Sequence, residues 1–209
     1  IRHAHTDFVA NASHELRTPL ASIIGYVETL SESGPSVPPE KRKRFLDTIL
    51  SEANRLQSLV SDLMSLSRIE AEKHEQPEQK TDFGKLVRRA AKEVAGIDRE
   101  ARLQFDINGS VYINGDERQL EQLVRNLVDN ALKYGDSGSD VTVALSLNDA
   151  LEATLTVTDR GEGIAPEHLP HLTRRFYRTD PGRSRASGGT GLGLAIVIHI
   201  VERHRGRLD

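Results

Sequence analysis

Two runs of apolar residues, spaced by alternating steps of four and three, constrain this chain more than any other feature. In the first run Leu16, Leu20, Ile23, Val27 and Leu30 follow the heptad spacing of a helix with one narrow apolar seam. In the second, Ile49, Ala53, Leu56, Val60 and Leu63 repeat it. Between them stands Gly34-Pro35-Ser36-Val37-Pro38-Pro39, through which no helix continues. Two such helices joined by a short breaker fold back as an antiparallel hairpin. One hairpin cannot cover both seams, whereas two hairpins paired as a four-helix bundle can. The spacing therefore predicts a homodimer.

The periodicity changes after a polar stretch, Ala71–Lys80, that contains Pro77 and reads as a linker. This gives a helical domain over 1–72, a linker over 73–80 and a second domain over 81–209. In the second domain, 82–95 reads as a helix, Arg102–Ile107 and Val111–Asn114 as short strands, and Asp116–Tyr134 as a long amphipathic helix. Asp140–Leu147 and Leu151–Asp159 alternate as strands around an Asn148-Asp149 turn, and Thr190–His204 reads as a last helix. Residues 160–189, rich in Gly, Pro, Arg and Ser, read as a loop. The fold class is α+β, with helices against one face of a mixed sheet.

Composition narrows the function classes. Lys plus Arg is 28 and Asp plus Glu 31, a net charge of -3 that leaves no electrostatic footprint for nucleic acid. With 0 Cys, disulfides and thiolate metal sites are excluded. Aromatic residues are 4% and Trp is absent, which suits long one-sided helices better than a thick core. No apolar run approaches the ~18 residues of a membrane span, and no signal peptide opens the chain. The first residues already follow a helical pattern, as in a piece of a longer protein.

Four motifs carry chemistry. The first is Ser13-His14-Glu15-Leu16-Arg17-Thr18-Pro19-Leu20. His14 lies beside the seam, reachable from solvent, and a neutral imidazole nitrogen is a competent nucleophile near neutral pH. Glu15 can accept the other ring N–H and fix the tautomer. Pro19 removes a backbone donor and should kink the helix. The other histidines (His3, His5, His74, His168, His171, His199 and His204) read as surface polar residues. The second motif is Asn126-Leu127-Val128-Asp129-Asn130-Ala131-Leu132-Lys133-Tyr134. Asn126 and Asn130 share a helix face, and their amide oxygens suit a Mg²⁺ that bridges phosphates; two exposed polar residues are the plainer alternative. Lys133 can bring an ammonium to a phosphate. The third is Asp159-Arg160-Gly161-Glu162-Gly163-Ile164, at a strand end. Its carboxylate can accept from the exocyclic amine of adenine, and Gly161 and Gly163 let backbone approach a flat base; a plain turn has the same composition. The fourth is Gly188-Gly189-Thr190-Gly191-Leu192-Gly193-Leu194. Its backbone N–H groups at a helix N-terminus make an anion site, or else a hinge. It is neither a Walker loop nor a dinucleotide fingerprint.

Together and in this order the motifs resemble the H, N, G1 and G2 boxes of the sensor histidine kinases of two-component systems, and Arg175-Phe176-Tyr177-Arg178 resembles their F box. The resemblance covers nearly the whole chain. Asp7–Leu30 and Leu63–Glu70 look most like the phosphate-regulon sensor kinases. It implies a dimerization and histidine-phosphotransfer hairpin followed by a catalytic domain of the Bergerat type, an α/β sandwich that binds ATP. His14 would be the phosphoacceptor and Glu15 the general base. Asn130, with Asn126, would hold Mg²⁺, Lys133 and Arg178 would meet phosphates, and Tyr134 would lie near the nucleotide. Asp159 would read adenine beside Gly161, Gly163 and Ile164. Gly189, Thr190, Gly191, Leu192 and Gly193 would complete the nucleotide site. The loop from Phe176 to Gly189, with Arg183 and Arg185, would be the lid. Glu15-x-x-Thr18 matches the motif that dephosphorylates the partner. Thr18 could hold the attacking water there, or simply bond back to the carbonyl of His14.

The implied partner is a response-regulator receiver domain docked around Ala21–Val27, and the implied setting is the cytoplasmic portion of a membrane-anchored bacterial sensor. Two residues depart from the family pattern: Arg160, where a small polar residue is commoner, and His199, where Lys is. The family's final strands would begin at Gly206-Arg207-Leu208-Asp209, where the sequence stops. Other Bergerat ATPases share Asn130, Asp159 and the glycines, but use a Glu where Asn126 stands and lack the His14 helix. A non-catalytic scaffold would be expected to lose His14, Asn130 or Asp159, and none is lost.

Overall fold

The structure, a computed structural model, describes residues 2–135, 138–149, 151–159 and 192–209, with side chains from Ala12 onward. Described residues up to Ser67 belong to one compact unit, and those over 68–159 and from Gly193 onward to another. Among the described residues no helix is long and apolar enough to cross a membrane.

The first unit is built on helices α1 (Arg2–Ser33) and α2 (Pro39–Glu72), joined by a 3-10 turn over Gly34–Ser36. Pro39 opens α2 at the first helical position, where its missing N–H costs nothing. Helix α1 continues through Pro19, which is buried. Near the turn the Tyr26 and Phe45 rings pack with centroids 5.0 Å apart, and farther along Glu15 meets Arg55. Contacts that recede along α1 while advancing along α2 define an antiparallel hairpin. Leu59 and Leu66 are buried, but seam residues Leu20, Val27 and Val60 remain 46%, 45% and 43% exposed. A single hairpin thus leaves its heptad seams incompletely covered: none of the ten seam residues is buried, and Leu20, Val27, Ala53 and Val60 are exposed.

In the second unit β1 (Lys80–Asp82) leads into α3 (Phe83–Arg99), then β2 (Leu103–Ile107), β3 (Tyr112–Asn114), α4 (Glu117–Tyr134), β4 (Val141–Leu147), β5 (Ala153–Thr158) and α5 (Gly193–Arg203). Strands β2, β4 and β5 form a mixed sheet in that order. β2 runs parallel to β4 with Leu103 opposite Val141, and β4 runs antiparallel to β5 with Val143 opposite Val157. A parallel pair needs a crossover, and α4 lies within it. Val141, Val143 and Leu145 alternate with more exposed residues, so one face of β4 is buried. The core adds Leu86, Val87 and Ala90 of α3, Leu123, Val124 and Val128 of α4, and Ile196, Val197 and Ile200 of α5. This is the expected α+β arrangement.

Several local features differ from the sequence reading. Strand β1, which pairs with β3, lies where a linker ending was read; three residues, Lys-Thr-Asp, carry no alternation to announce it. Helix α2 runs through Ala71 to Glu72, so the linker begins after it, and Pro77 within the linker is buried. Helix α3 breaks at Gly96, whose φ of 69° and ψ of -177° suit a residue without Cβ. Leu151 belongs to the β4–β5 turn, with a positive φ of 60°, rather than to the strand.

The largest correction concerns His204. It is half-buried, not a surface residue. Its Nε2 accepts from the backbone N–H of Asp116 at 3.0 Å, so the ring proton sits on Nδ1, which donates to the Ile200 carbonyl at 2.8 Å. Burial lowers the imidazole below its ordinary value, helped by the charge of Arg203, while the Ile200 bond and Asp116 act the other way. Arg203 beside it is buried and engaged through Nε and Nη1. Its Nε donates to the carbonyls of Glu72 and Glu75, both at 3.1 Å. Its Nη1 donates to Asp116 at 2.9 Å and Gln119 at 3.0 Å. One guanidinium therefore ties the last turn of α2, the residues after it, the N-cap of α4 and the end of α5 together. We expect Arg203→Met to cost roughly 2–4 kcal/mol of unfolding free energy, somewhat under the ~3–5 of a fully buried pair because its carboxylate partner Asp116 is 30% exposed. Urea unfolding of the two proteins checks this; a difference below ~0.5 kcal/mol, the range of ordinary surface changes, would refute it.

Candidate functional site

The residues singled out in the sequence fall into two groups, one in each unit. In the first, His14, Glu15 and Thr18 stand within one turn of α1. His14 is exposed and Glu15 half-buried. The Thr18 hydroxyl donates to the His14 carbonyl at 3.3 Å, the back-bond that a helical Thr ahead of a proline makes. An oxygen that donates one bond keeps its lone pairs for another partner. Buried Arg55, which sequence reasoning missed, approaches the Glu15 carboxylate from α2 at 3.9 Å. Nothing in the heptad marks it, since it precedes seam residue Leu56 by one position.

The second group is organised by α4. At its N-terminus Asp116 caps the helix, accepting from the Gln119 N–H at 3.2 Å. At its C-terminus Arg102 donates to the Leu132 carbonyl at 3.1 Å and to Ser139 at 2.8 Å, satisfying a carbonyl that the helix leaves without a partner. Asn126 and Asn130 lie one turn apart, both half-buried. The Asn126 Nδ2 donates to the Gly193 carbonyl at 3.3 Å, which joins the middle of α4 to the first residue of α5. With the amide nitrogen engaged there, the oxygen is the atom left to accept.

Lys133 pairs with Asp129 at 3.0 Å, with both side chains 30% exposed. Such an i,i+4 pair is worth only ~0.3–0.5 kcal/mol, so the ammonium can turn to a phosphate at little cost. Tyr134 ends the helix and is half-buried. Gly135 follows, and its lack of a side chain is what closes the site. A Cβ there would stand 2.6 Å from the Ala131 carbonyl oxygen and 3.0 Å from Cβ of Asp159. Its φ of -75° is ordinary, so space and not backbone freedom selects glycine. Through this contact the exposed carboxylate of Asp159, one residue past β5, stands at the end of α4 that carries Asn130, Lys133 and Tyr134. Gly135 was missed in the sequence; the pattern Lys-Tyr-Gly at a helix end was the available signal.

The donor set fits a hydrated divalent cation. Asn126 and Asn130 offer neutral amide oxygens, and among the described residues no three His, Asp or Glu gather as an all-protein cage. Mg²⁺ is commonly held by few protein groups together with phosphates. Leu192 is buried just before α5, which Gly193 opens. Gly161, Gly163, Ile164, Phe176, Arg178, Arg183, Arg185, Gly189, Thr190 and Gly191, with Arg160, lie outside the described residues. His199 lies within 4.0 Å of Glu202 on the same helix.

Comparison with known proteins agrees with this division. Residues 4–72 match the family described as His Kinase A (phospho-acceptor) domain, and residues 115–209 match the family described as Histidine kinase-, DNA gyrase B-, and HSP90-like ATPase. The chain is 40% identical over 205 residues to the phosphate regulon sensor protein PhoR of Pseudomonas aeruginosa, covering 97% of this chain and 46% of that protein. It thus spans about half the length of the curated relatives it matches. Among solved structures, a mycobacterial sensor histidine kinase, MprB, is 32% identical with a TM-score of 0.52, covering 63% of this chain and 83% of that one. The Acinetobacter baumannii histidine kinase AdeS is 27% identical with a TM-score of 0.68, covering 91% and 86%.

Proposed function

The chain belongs to the sensor histidine kinase family, and from that premise we propose that it phosphorylates itself on His14 with ATP and passes the phosphoryl group to an aspartate of a response-regulator receiver domain. The observation that carries the nucleotide half of this reading is the close approach of Gly135 to Asp159, which joins an acceptor for adenine to the Asn130 and Lys133 face of α4. The exposed imidazole of His14 beside the Glu15 carboxylate supports the other half.

In the proposed reaction one ring nitrogen of His14 attacks the γ-phosphorus of ATP. The bond from that phosphorus to the bridging oxygen breaks, and ADP leaves with the electron pair. The other ring nitrogen, now cationic, gives its proton to Glu15. Asn130 and Asn126 would hold Mg²⁺, which when bound screens the phosphate charge and polarises the transferred group. Lys133 leaves Asp129 for the triphosphate, and Tyr134 flanks the nucleotide. Asp159 accepts from the adenine amine, a contact that discriminates against guanine. Gly161, Gly163, Ile164, Phe176, Arg178, Gly189, Thr190, Gly191, Leu192 and Gly193 complete the site. The receiver's aspartate then attacks phosphorus, the P–N bond breaks, and the imidazole regains a proton. The exposed seams of α1 and α2 are covered by a second copy of the chain, and the receiver docks near Ala21–Val27. The chain works in the cytoplasm, as part of a membrane-anchored sensor. Incubation with γ-labelled ATP and Mg²⁺ tests the reading: acid-labile, alkali-stable label on the protein supports it, and absence of such label overturns it.

Thr18 gives the same hairpin a second activity. One turn beyond His14, its oxygen can hold a water in line with the aspartyl phosphate of the docked receiver, and hydrolysis then returns the aspartate and inorganic phosphate. Thr18→Ala is expected to keep self-phosphorylation within a few-fold of the parent while slowing partner dephosphorylation by about tenfold or more, ~1.4 kcal/mol of barrier. If both rates fall together, the hydroxyl acts only through its bond to the His14 carbonyl.

A further inference from the structure

Among the described residues two arginines are buried, and they differ in one respect. Arg203 spends its donors on two backbone carbonyls, a carboxylate and an amide. Arg55 is equally buried, at 7% exposure, yet its Nε–H has no hydrogen-bond partner among the described residues. Its Nη atoms stand 3.9 Å from Glu15 and 3.8 Å from Glu52, ion-pair distances too long for hydrogen bonds. A buried guanidinium with an unspent donor is costly, and stability alone would favour an apolar side chain there. What distinguishes the position is its neighbour: the carboxylate it faces follows His14 directly in sequence.

We propose that Arg55 is a positioning residue for the phosphorylation of His14. From α2 its guanidinium steers the Glu15 carboxylate, so that one oxygen faces the His14 ring N–H as phosphorus is attacked and can take the proton afterward. The spare Nε–H completes a two-pronged hold when the carboxylate moves inward by about an ångström, from ion-pair to hydrogen-bond distance. Glu52, on the same helix as Arg55, balances the guanidinium from the other side and limits how far it follows Glu15. The inference rests on the phosphorylation reading above and adds to it a residue that never touches phosphate.

The test is a double-variant cycle in the full chain, read as the rate of label incorporation at saturating ATP and as the KM for ATP. Arg55→Gln is expected to lower the saturating rate about tenfold or more while leaving the KM for ATP within about twofold, because nucleotide binding does not involve it. Glu15→Gln lowers the rate likewise. The double variant should be no slower than Glu15→Gln alone, since Arg55 acts only through that carboxylate. Arg55→Lys keeps the charge without the fork and should restore part of the rate. If the losses multiply in the double variant, or Arg55→Gln keeps the parent rate, or the KM for ATP rises in step, the proposal is overturned. Should Arg55→Gln fail to fold, Arg55→Lys serves in the same cycle: it should slow the parent and leave Glu15→Gln unchanged, and equal slowing in both backgrounds overturns the proposal. A parent protein that takes no label on histidine overturns the phosphorylation reading itself, whereas a labelled parent with additive losses overturns the role of Arg55 alone.

Discussion

His14→Ala is expected to abolish incorporation of acid-labile label from γ-labelled ATP while leaving nucleotide affinity within about twofold of the parent. The first half follows from chemistry, since no alanine atom can attack phosphorus. The second follows from the division of labour in the chain. The residues assigned to the nucleotide are carried by α4, the end of β5 and the residues leading into α5, and His14 is on α1. The side chain is exposed, so its removal leaves no cavity. Label counted after acid and after alkali, with nucleotide titration in parallel, measures both halves. Undiminished label in the variant would move the phosphoacceptor to another residue.

Asp159→Asn is expected to weaken ATP binding by roughly 10- to 150-fold. The carboxylate is assigned a charge-assisted hydrogen bond from the adenine amine, and such bonds contribute about 1.5–3 kcal/mol, which is that range in affinity. Asparagine has nearly the same shape, so Gly135 still fits against it and the junction of α4 with β5 survives. Dimer mass and unfolding midpoint should therefore hold while the nucleotide titration shifts. A variant that binds ATP as the parent does would remove Asp159 from the site.

The architecture was legible where its cause is local. Heptad spacing foretold the hairpin and its uncovered seam, because a period of seven is written in consecutive residues. Alternation foretold β4, and the end of α4 was read to the residue. The family motifs brought out His14, Asn130 and Asp159 because the chemistry of each depends on residue type. What escaped were residues whose meaning depends on distant partners. Arg203 and His204 read as the polar end of a helix, and only folding brings them to Asp116, 87 and 88 positions away in sequence. Gly135 went unread, since the side chain that crowds it is Asp159, 24 positions on and one residue past β5. Arg55 and Arg102 were two among 28 basic residues, and neither composition nor spacing separates a buried guanidinium from a solvated one.

Asn126 holds Gly193, and Gly135 touches Asp159. The chain between Asp159 and Gly193 therefore departs from α4 and returns to it at points nine positions apart, about 14 Å along the axis at ~1.5 Å per residue. Its two ends are fixed by the same rigid rod. The spacing along α4 therefore sets the distance between the end of β5 and the start of α5. One residue inserted between Asn126 and Gly135 would turn one contact about 100° around the helix relative to the other. The length of this part of α4 is thus as constrained as any side chain in the core, because both contacts hold only at one spacing.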